Sequence, residues 1–341
     1  MSNLGSKKGK NYILTHDIGD KISSFNKYGI HAPVASDPIF SDFQEELKVR
    51  LERVTGYSVL PVSMRKMTED VIDAAFERKR VQKNAVVISS CPEIAKSESG
   101  WIEEGHVINV NRLIDGVGNF IGIGSRPGYP PIESQMERIR SAAISSSFTH
   151  PLILVEDGIF SGSTLLFLLQ SVRDAGLKID AIVVGFAFSR GLAAVKRQFD
   201  GDIIVINEIP DLVDWMPDHD FVPFSPSCGR VIGVSINGSS HPFYSEEGCS
   251  YSAPYLLPFA PIEKWASIPF GKSSDFSLFC ATWSLHLFQK IEDMNKKKML
   301  IGDLIVIKPQ ISIPLSVGQR RLPSLSTRII DFLSDLCHEL V

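Results

Sequence analysis

The chain has 341 residues, enough for one large domain with extensions or two modest ones. Hydrophobic residues make up 44% and charged residues 22%, an ordinary globular balance, and a formal net charge of -4 offers no chain-wide basic excess for a phosphate backbone, which argues against a nucleic-acid binder. Five scattered cysteines without a C-x-x-C pair, no bilayer-length apolar run and no apolar stretch behind the N-terminal lysines point to reduced thiols, no membrane segment and a cytoplasmic location.

In chain order, residues 1–10 read as a Gly/Ser/Lys tail. Apolar residues three or four apart predict a helix over Ser41–Val54. A second helix is predicted over Met67–Arg80, with Thr68 as N-cap, acids in the first turn and bases in the last. From Ala85 the texture changes to short β-branched runs at 85–89, 106–110 and 120–124, then a helix at 132–143. LILV (152–155), a loop, a helix to about Ala175, AIVVGFAF (181–188), GLAAVKRQF (191–199) and DIIVI (202–206) form a strand–helix–strand–helix–strand series. That alternation predicts a parallel sheet with right-handed crossovers, and strands so uniformly apolar predict cover on both faces. Beyond Ile206 the chain reads as irregular, and 237–273 as a long connection. A helix over Ser274–Asn295 carries Phe276, Phe279, Trp283 and Phe288 on a packing face; a strand at Leu304–Ile307 and a helix at Leu325–Leu340 complete the expectation. The implied division is 1–59, 60–235 and 236–341: a helical N-terminal segment, an α/β core and a partly helical C-terminal extension.

The stretch LILVEDGIFSGSTLLFLL (152–169) concentrates the chemistry. Ligands of open α/β sheets bind beyond the carboxyl ends of parallel strands, where Glu156 and Asp157 stand. A helix then opens behind Ser161, Gly162, Ser163 and Thr164. Its unpaired N–H groups and partial positive charge, with hydroxyls and a closely approachable glycine, make a phosphate cradle. Carboxylates beside a phosphate need another partner, and sugar hydroxyls or a magnesium ion held through water would serve. The same loop also reads as a capped helix start, with Ser161 or Ser163 as N-cap and the acids solvated. A P-loop is excluded, because GIFSGST lacks the lysine.

Four aliphatics, two acids, a small hydroxyl-rich loop and a helix resemble the motif that binds 5-phosphoribosyl diphosphate (PRPP) in type I phosphoribosyltransferases, in a VED form similar to the orotate branch. The likeness covers Leu152–Ile206 and, more loosely, 85–235. It implies a parallel-sheet core and Mg²⁺-dependent transfer of a phosphoribosyl group from PRPP to a nitrogenous base. By position, Glu156 and Asp157 would hold the ribose hydroxyls, and the metal through them or through water. Ser161 to Thr164 would hold the 5-phosphate. Phe160 stands where family members usually carry a hydroxyl, and Gly158 where they carry an aliphatic.

The resemblance also asks for a pyrophosphate site, since the departing charge must be neutralised. GIGSRPGYPPIE (122–133) offers Arg126, which joins Glu156 and Asp157 in the expected catalytic set, or is an ordinary Pro/Gly loop with a solvated arginine. SSCPE (89–93) is a rival, with Cys91 read as a small buried residue rather than a nucleophile. Arg190 could reach pyrophosphate or base, or is a surface residue. The base pocket would fall in IPDLVDWMPDHDFVPF (209–224), where Trp215 or Phe221 could stack and Asp214 or Asp218 accept a ring N–H; plugging a core and capping turns are the structural alternatives. Asp218, His219 and Asp220 have metal-ligand chemistry, but neighbours in a loop rarely aim at one ion. The expected assembly is a homodimer, with 236–341 capping the site or making the contact. A non-catalytic PRPP or nucleotide binder on the same fold, or an interaction protein with a vestigial motif, are the rival classes.

Overall fold

The computed structural model describes residues 10–95, 102, 106–145, 148–308, 310–319 and 321–341. The N-terminal tail, Lys10 excepted, lies outside them. In chain order come β1 (Asn11–His16), α1 (Ile18–Ser23), α2 (Pro38–Thr55), β2 (Ser58–Ser63), α3 (Met64–Val81), β3 (Val86–Ser89), α4 (Pro92–Ala95), β4 (Val110–Ile114), β5 (Phe120–Ser125) and α5 (Ile132–Ala143). Next are β6 (Ile144–Ser145), β7 (Phe148–Thr149), β8 (Leu152–Ile159), α6 (Ser163–Asp174), β9 (Ile179–Phe188), α7 (Ser189–Lys196) and β10 (Asp202–Ile209). The last are β11 (Leu212–Pro217), β12 (Arg230–Ile236), β13 (Ser239–Pro242), β14 (Tyr251–Ala253), α8 (Ile262–Trp265), α9 (Ser273–Asn295), β15 (Ile313–Pro314) and α10 (Ile329–Leu340). The protein is mixed α/β with parallel-strand sheets.

Two compact units are present, one of Met1–Val62, Arg112–Gly122 and Val213–Val341, the other of Ser63–Asn111 and Ile123–Leu212. The N-terminal segment and the C-terminal extension, separate when read along the chain, thus belong to one body.

The second unit is built on a parallel sheet of order β10-β9-β8-β3. β8 and β9 are largely apolar and buried because both faces are covered, whereas the edge strand β10 is half-exposed. Ile88, Leu152, Leu154, Ile182 and Val184 share a core with Met136 and Ile139 of α5 and Leu165, Leu168 and Val172 of α6. On α3, Met67, Val71, Ile72 and Ala75 are buried, and the helix lies across β8, β9 and β10. The cap of α3 is Ser63, whose Oγ accepts the Lys66 N–H at 3.3 Å; Thr68, expected as the cap, is buried inside the helix. Gly185 of β9 lets α3 approach closely, since a Cβ there would stand 2.5 Å from the Met67 side chain.

The first unit gathers Tyr12, Leu14, Phe40, Phe43, Phe221, Phe276, Phe288 and Leu333 into one core. The predicted packing face of α9 is real: Phe43 stacks on Trp283 with centroids 3.9 Å apart, and Phe221 meets Phe276 edge-on at 5.2 Å. The region after Ile206 is more regular than its composition predicts, holding β11, β12, β13 and β14. Leu304 ends a 3-10 turn, Ile301–Leu304, instead of opening a strand. The five cysteines are all free. Among the described residues no helix is long and apolar enough to cross a membrane.

Candidate functional site

The site in the second unit begins with a difference in strand length. β3 pairs with β8 only as far as Ser89↔Val155, and the Ser90 N–H makes the last bond, to the Val155 carbonyl at 3.3 Å. β8 does not stop there. The longer β9 pairs with it through Glu156↔Val184, Gly158↔Phe186 and Ile159↔Ala187. The two acids, expected beyond the strand, therefore lie within it. They sit at the notch where β8 loses its partner on the β3 side.

The notch is also where the strand order reverses. Ser89 bridges Val155 on one side and Val107 in parallel on the other. From β3 the chain moves outward one way; from β8 it moves through β9 and β10 the other way. A crevice at the carboxyl ends of two strands that diverge like this is the ligand position of open α/β sheets.

Burial raises the Glu156 carboxyl well above its usual range, and the Asp157 charge and a hydrogen bond with Asp157 add to the rise, against the pull of Arg126. Burial also raises Asp157, opposed by its hydrogen bond to Glu156. Both carboxyls thus resist ionising together. Glu156 Oε2 is buried without a hydrogen-bond partner among the described residues. Crowded oxygens of this kind suit a hard dication or sugar hydroxyls. Arg126 follows β5, half-buried, its N–H donating to the Asn109 carbonyl at 2.8 Å.

The SSCPE turn closes over the end of β3. Ser89 Oγ donates to the Cys91 carbonyl at 2.9 Å and accepts the Cys91 N–H at 3.1 Å. Cys91 is buried, and its thiol donates to Glu93 Oε2 at 3.4 Å. Burial, then the charges of Glu93, Asp157 and Glu156, push the thiol well up and disfavour the thiolate.

The turn into α6 is set by Gly162, which caps the helix at φ 83°, where a Cβ would approach Val195 Cγ2 at 3.0 Å and the Gly191 carbonyl at 3.1 Å. Neither Ser161 nor Ser163 is the cap residue. Ser161 Oγ instead accepts the Ser163 N–H at 3.3 Å and meets Ser163 Oγ at 2.9 Å. Both serines are exposed and Thr164 is half-buried, so the hydroxyls surround the open amino end of a twelve-residue helix. Phe160 is 42% exposed and leans edge-on against Phe188, centroids 5.5 Å apart. Arg190 is exposed in the first turn of α7 rather than at a strand end.

The expected base pocket falls in the first unit, and its residues are committed to internal contacts. Phe221 is fully buried against Phe276 and offers no free ring face. The Trp215 indole N–H donates to Thr15 Oγ1 at 2.6 Å. Asp214 accepts from Ser267 Oγ at 2.8 Å. Asp218 is buried as a hub: Oδ1 accepts the N–H groups of Asp17 and Ile18 at 3.1 and 2.9 Å, and Oδ2 accepts from Gln44 at 2.8 Å and meets His16 Nδ1 at 3.3 Å. It anchors the start of α1.

The ligand atoms of Asp17, Asp218 and His219 lie within 4.8 Å of one another, the arrangement of a metal trio. Their donor set does not fit a cation. Asp218 has spent both oxygens, and Asp17 Oδ1 meets His219 Nδ1 at 2.6 Å. Asp220, which the sequence grouped with them, accepts the Gly229 N–H at 2.7 Å. This is a buried charge network in which burial raises Asp17 but the charges of His219 and Lys21 outweigh it and hold the carboxyl low.

Reading along the chain missed Asn109, whose buried Oδ1 has no partner among the described residues, and the orphaned Ser90 hydroxyl. The available signal was a polar residue inside an apolar run, HVINV. No known family model matches this chain, and no curated protein sequence matches it.

Proposed function

We propose that the second unit binds PRPP and transfers its phosphoribosyl group to a nitrogenous base, as a type I phosphoribosyltransferase-like core. The observation that carries this reading is the Glu156–Asp157 pair at the strand-order reversal, followed within a few residues by the glycine-set, hydroxyl-lined amino end of α6. The first residues of α6 offer N–H groups and the hydroxyls of Ser161, Ser163 and Thr164 to a 5-phosphate. Glu156 and Asp157 grip ribose hydroxyls, which supply the donors their crowded oxygens lack. Arg126, already felt electrostatically by both acids, faces the departing pyrophosphate. Magnesium, when bound, would neutralise pyrophosphate charge, and the two acids would hold it through water or the ribose. The reaction passes through an oxocarbenium-like state, so the residues act by positioning and charge.

A second reading, a PRPP binder without turnover, is favoured by one feature. Glu93 adds a negative charge to the acid pair at the turn where a pyrophosphate loop would lie. Calorimetry with PRPP and Mg²⁺, followed by a pyrophosphate-release screen across purines and pyrimidines, separates the two. Binding with release supports the transferase, binding without release the binder, and no binding refutes both.

A further inference from the structure

Asn109 is held closely around an atom that no described residue hydrogen-bonds. The residue is 3% exposed, and its Oδ1 has no hydrogen-bond partner among the described residues. Everything else about it is engaged. Gln135 of α5, itself 1% exposed, clasps the main chain: its Oε1 accepts the Asn109 N–H at 2.6 Å, and its Nε2 donates to the Asn109 carbonyl at 3.3 Å. That Nε2 also donates to the Pro130 carbonyl at 2.8 Å, which ties the clasp to the loop after Arg126. The Asn109 Nδ2 donates to the Val107 carbonyl at 3.4 Å, which orients the amide and leaves Oδ1 as its unpartnered atom among the described residues.

A buried acceptor without a donor destabilises a fold. A second shell that rigidly positions such an atom is the construction of a ligand contact. The place agrees. Asn109 lies two residues past the Ser89↔Val107 bridge, on the chain flanking β3 at the reversal of strand order. Ser90, 5% exposed with an orphaned hydroxyl, stands one residue past the same bridge on β3's own chain.

We infer that Asn109 Oδ1 accepts an N–H from the second substrate, so that the acceptor base carries an amino or ring N–H group at this point. The inference rests on the phosphoribosyl reading above. Phosphate and pyrophosphate at neutral pH are predominantly acceptors and suit an amide oxygen poorly, and the ribose hydroxyls are assigned to Glu156 and Asp157. An N–H of the base is the donor that remains. Ser90, able both to donate and to accept, suits either neighbour.

The test uses the full chain and two variants, Asn109→Leu, which keeps the branched outline and removes the acceptor, and Asn109→Asp, which keeps an acceptor. PRPP with Mg²⁺ is titrated first, then adenine, guanine and uracil onto the PRPP-loaded protein. The expected result is a Tm for Asn109→Leu at or above that of the wild type and PRPP affinity within about twofold. Base affinity should fall about tenfold, the worth of one good hydrogen bond at about 1.4 kcal/mol per decade, and return at least in part in Asn109→Asp. A Tm several degrees lower in Asn109→Leu would assign Oδ1 to the fold and overturn the inference. So would unchanged base affinity with PRPP binding intact, or a wild type that takes PRPP and none of the bases. Failure of the wild type to bind PRPP would remove the phosphoribosyl reading and this inference with it.

Discussion

At the scale of single residues, the same side-chain type has opposite roles in the two units. Asp218, fully buried, and Asp157, half-buried, are both carboxyls with raised pKa values. Asp218 has its oxygens filled by backbone and side-chain donors, whereas Asp157 has a like-charged neighbour and a strand edge. Asp157→Asn is expected to abolish PRPP binding in calorimetry while leaving Tm near or slightly above wild type, because the substitution relieves a desolvated charge. A large loss of stability with binding unchanged would make Asp157 structural. For Asp218, burial comes first and pushes the carboxyl up to about 6. Between the unfolded value near 3.8 and about 6 the native state binds more protons than the unfolded one, so stability falls as pH rises through that window. Asp17, held low, acts with the opposite sign: its contribution is present above the unfolded value of 3.8 and is lost as pH falls through the folded one. Urea denaturation from pH 4 to 7 should show a flatter slope in Asp218→Asn than in the wild type, and equal slopes would refute the assignment.

At the scale of elements, the candidate site is a consequence of unequal strand lengths and one backbone-to-backbone contact. β9 runs ten residues and carries β8 past the end of β3. Helix α7 then packs so tightly under the turn that a Cβ on Gly191 would stand 2.2 Å from the Phe160 carbonyl. Gly191→Ala should therefore push the Phe160–Gly162 turn off its seat. We expect a loss of about 1–3 kcal/mol in chemical denaturation, the usual cost of overpacking, and a larger proportional loss of PRPP affinity. A variant with wild-type stability and affinity would show that the turn is free to move.

At the scale of the whole molecule, the two ends of the chain share a core. Tyr12, Leu14, Phe40 and Phe43 pack in one cluster with Trp265, Phe276, Phe288 and Leu333. The C-terminal extension, read from the sequence as a cap or dimer contact, is a constituent of the first unit. Deleting 236–341 should thus strip Tyr12 and Phe43 of much of their packing and yield aggregated or protease-sensitive protein instead of a soluble fold. Limited proteolysis of the truncated chain checks this. A monodisperse, protease-resistant product would show that the extension is a separate lid.

The sequence by itself determined whatever depends on near neighbours. The apolar runs of β8 and β9, the packing face of α9 and the helix behind Ser161 to Thr164 were all legible, since period and turn chemistry act over a few residues. It also placed Glu156 and Asp157 beside a helix start, but not inside β8, because how far a strand extends depends on its partner. Tertiary contacts alone made Phe221 and Asp218 internal, brought Asp17 to His219 Nδ1 and Asp218 with Asp220 facing His219 Nε2 at 3.6 Å, and left Asn109 Oδ1 without a partner among the described residues. Apart from the adjacent His219–Asp220 pair, each of these is a contact across many tens of residues or the lack of one, and such contacts leave no local pattern in the chain.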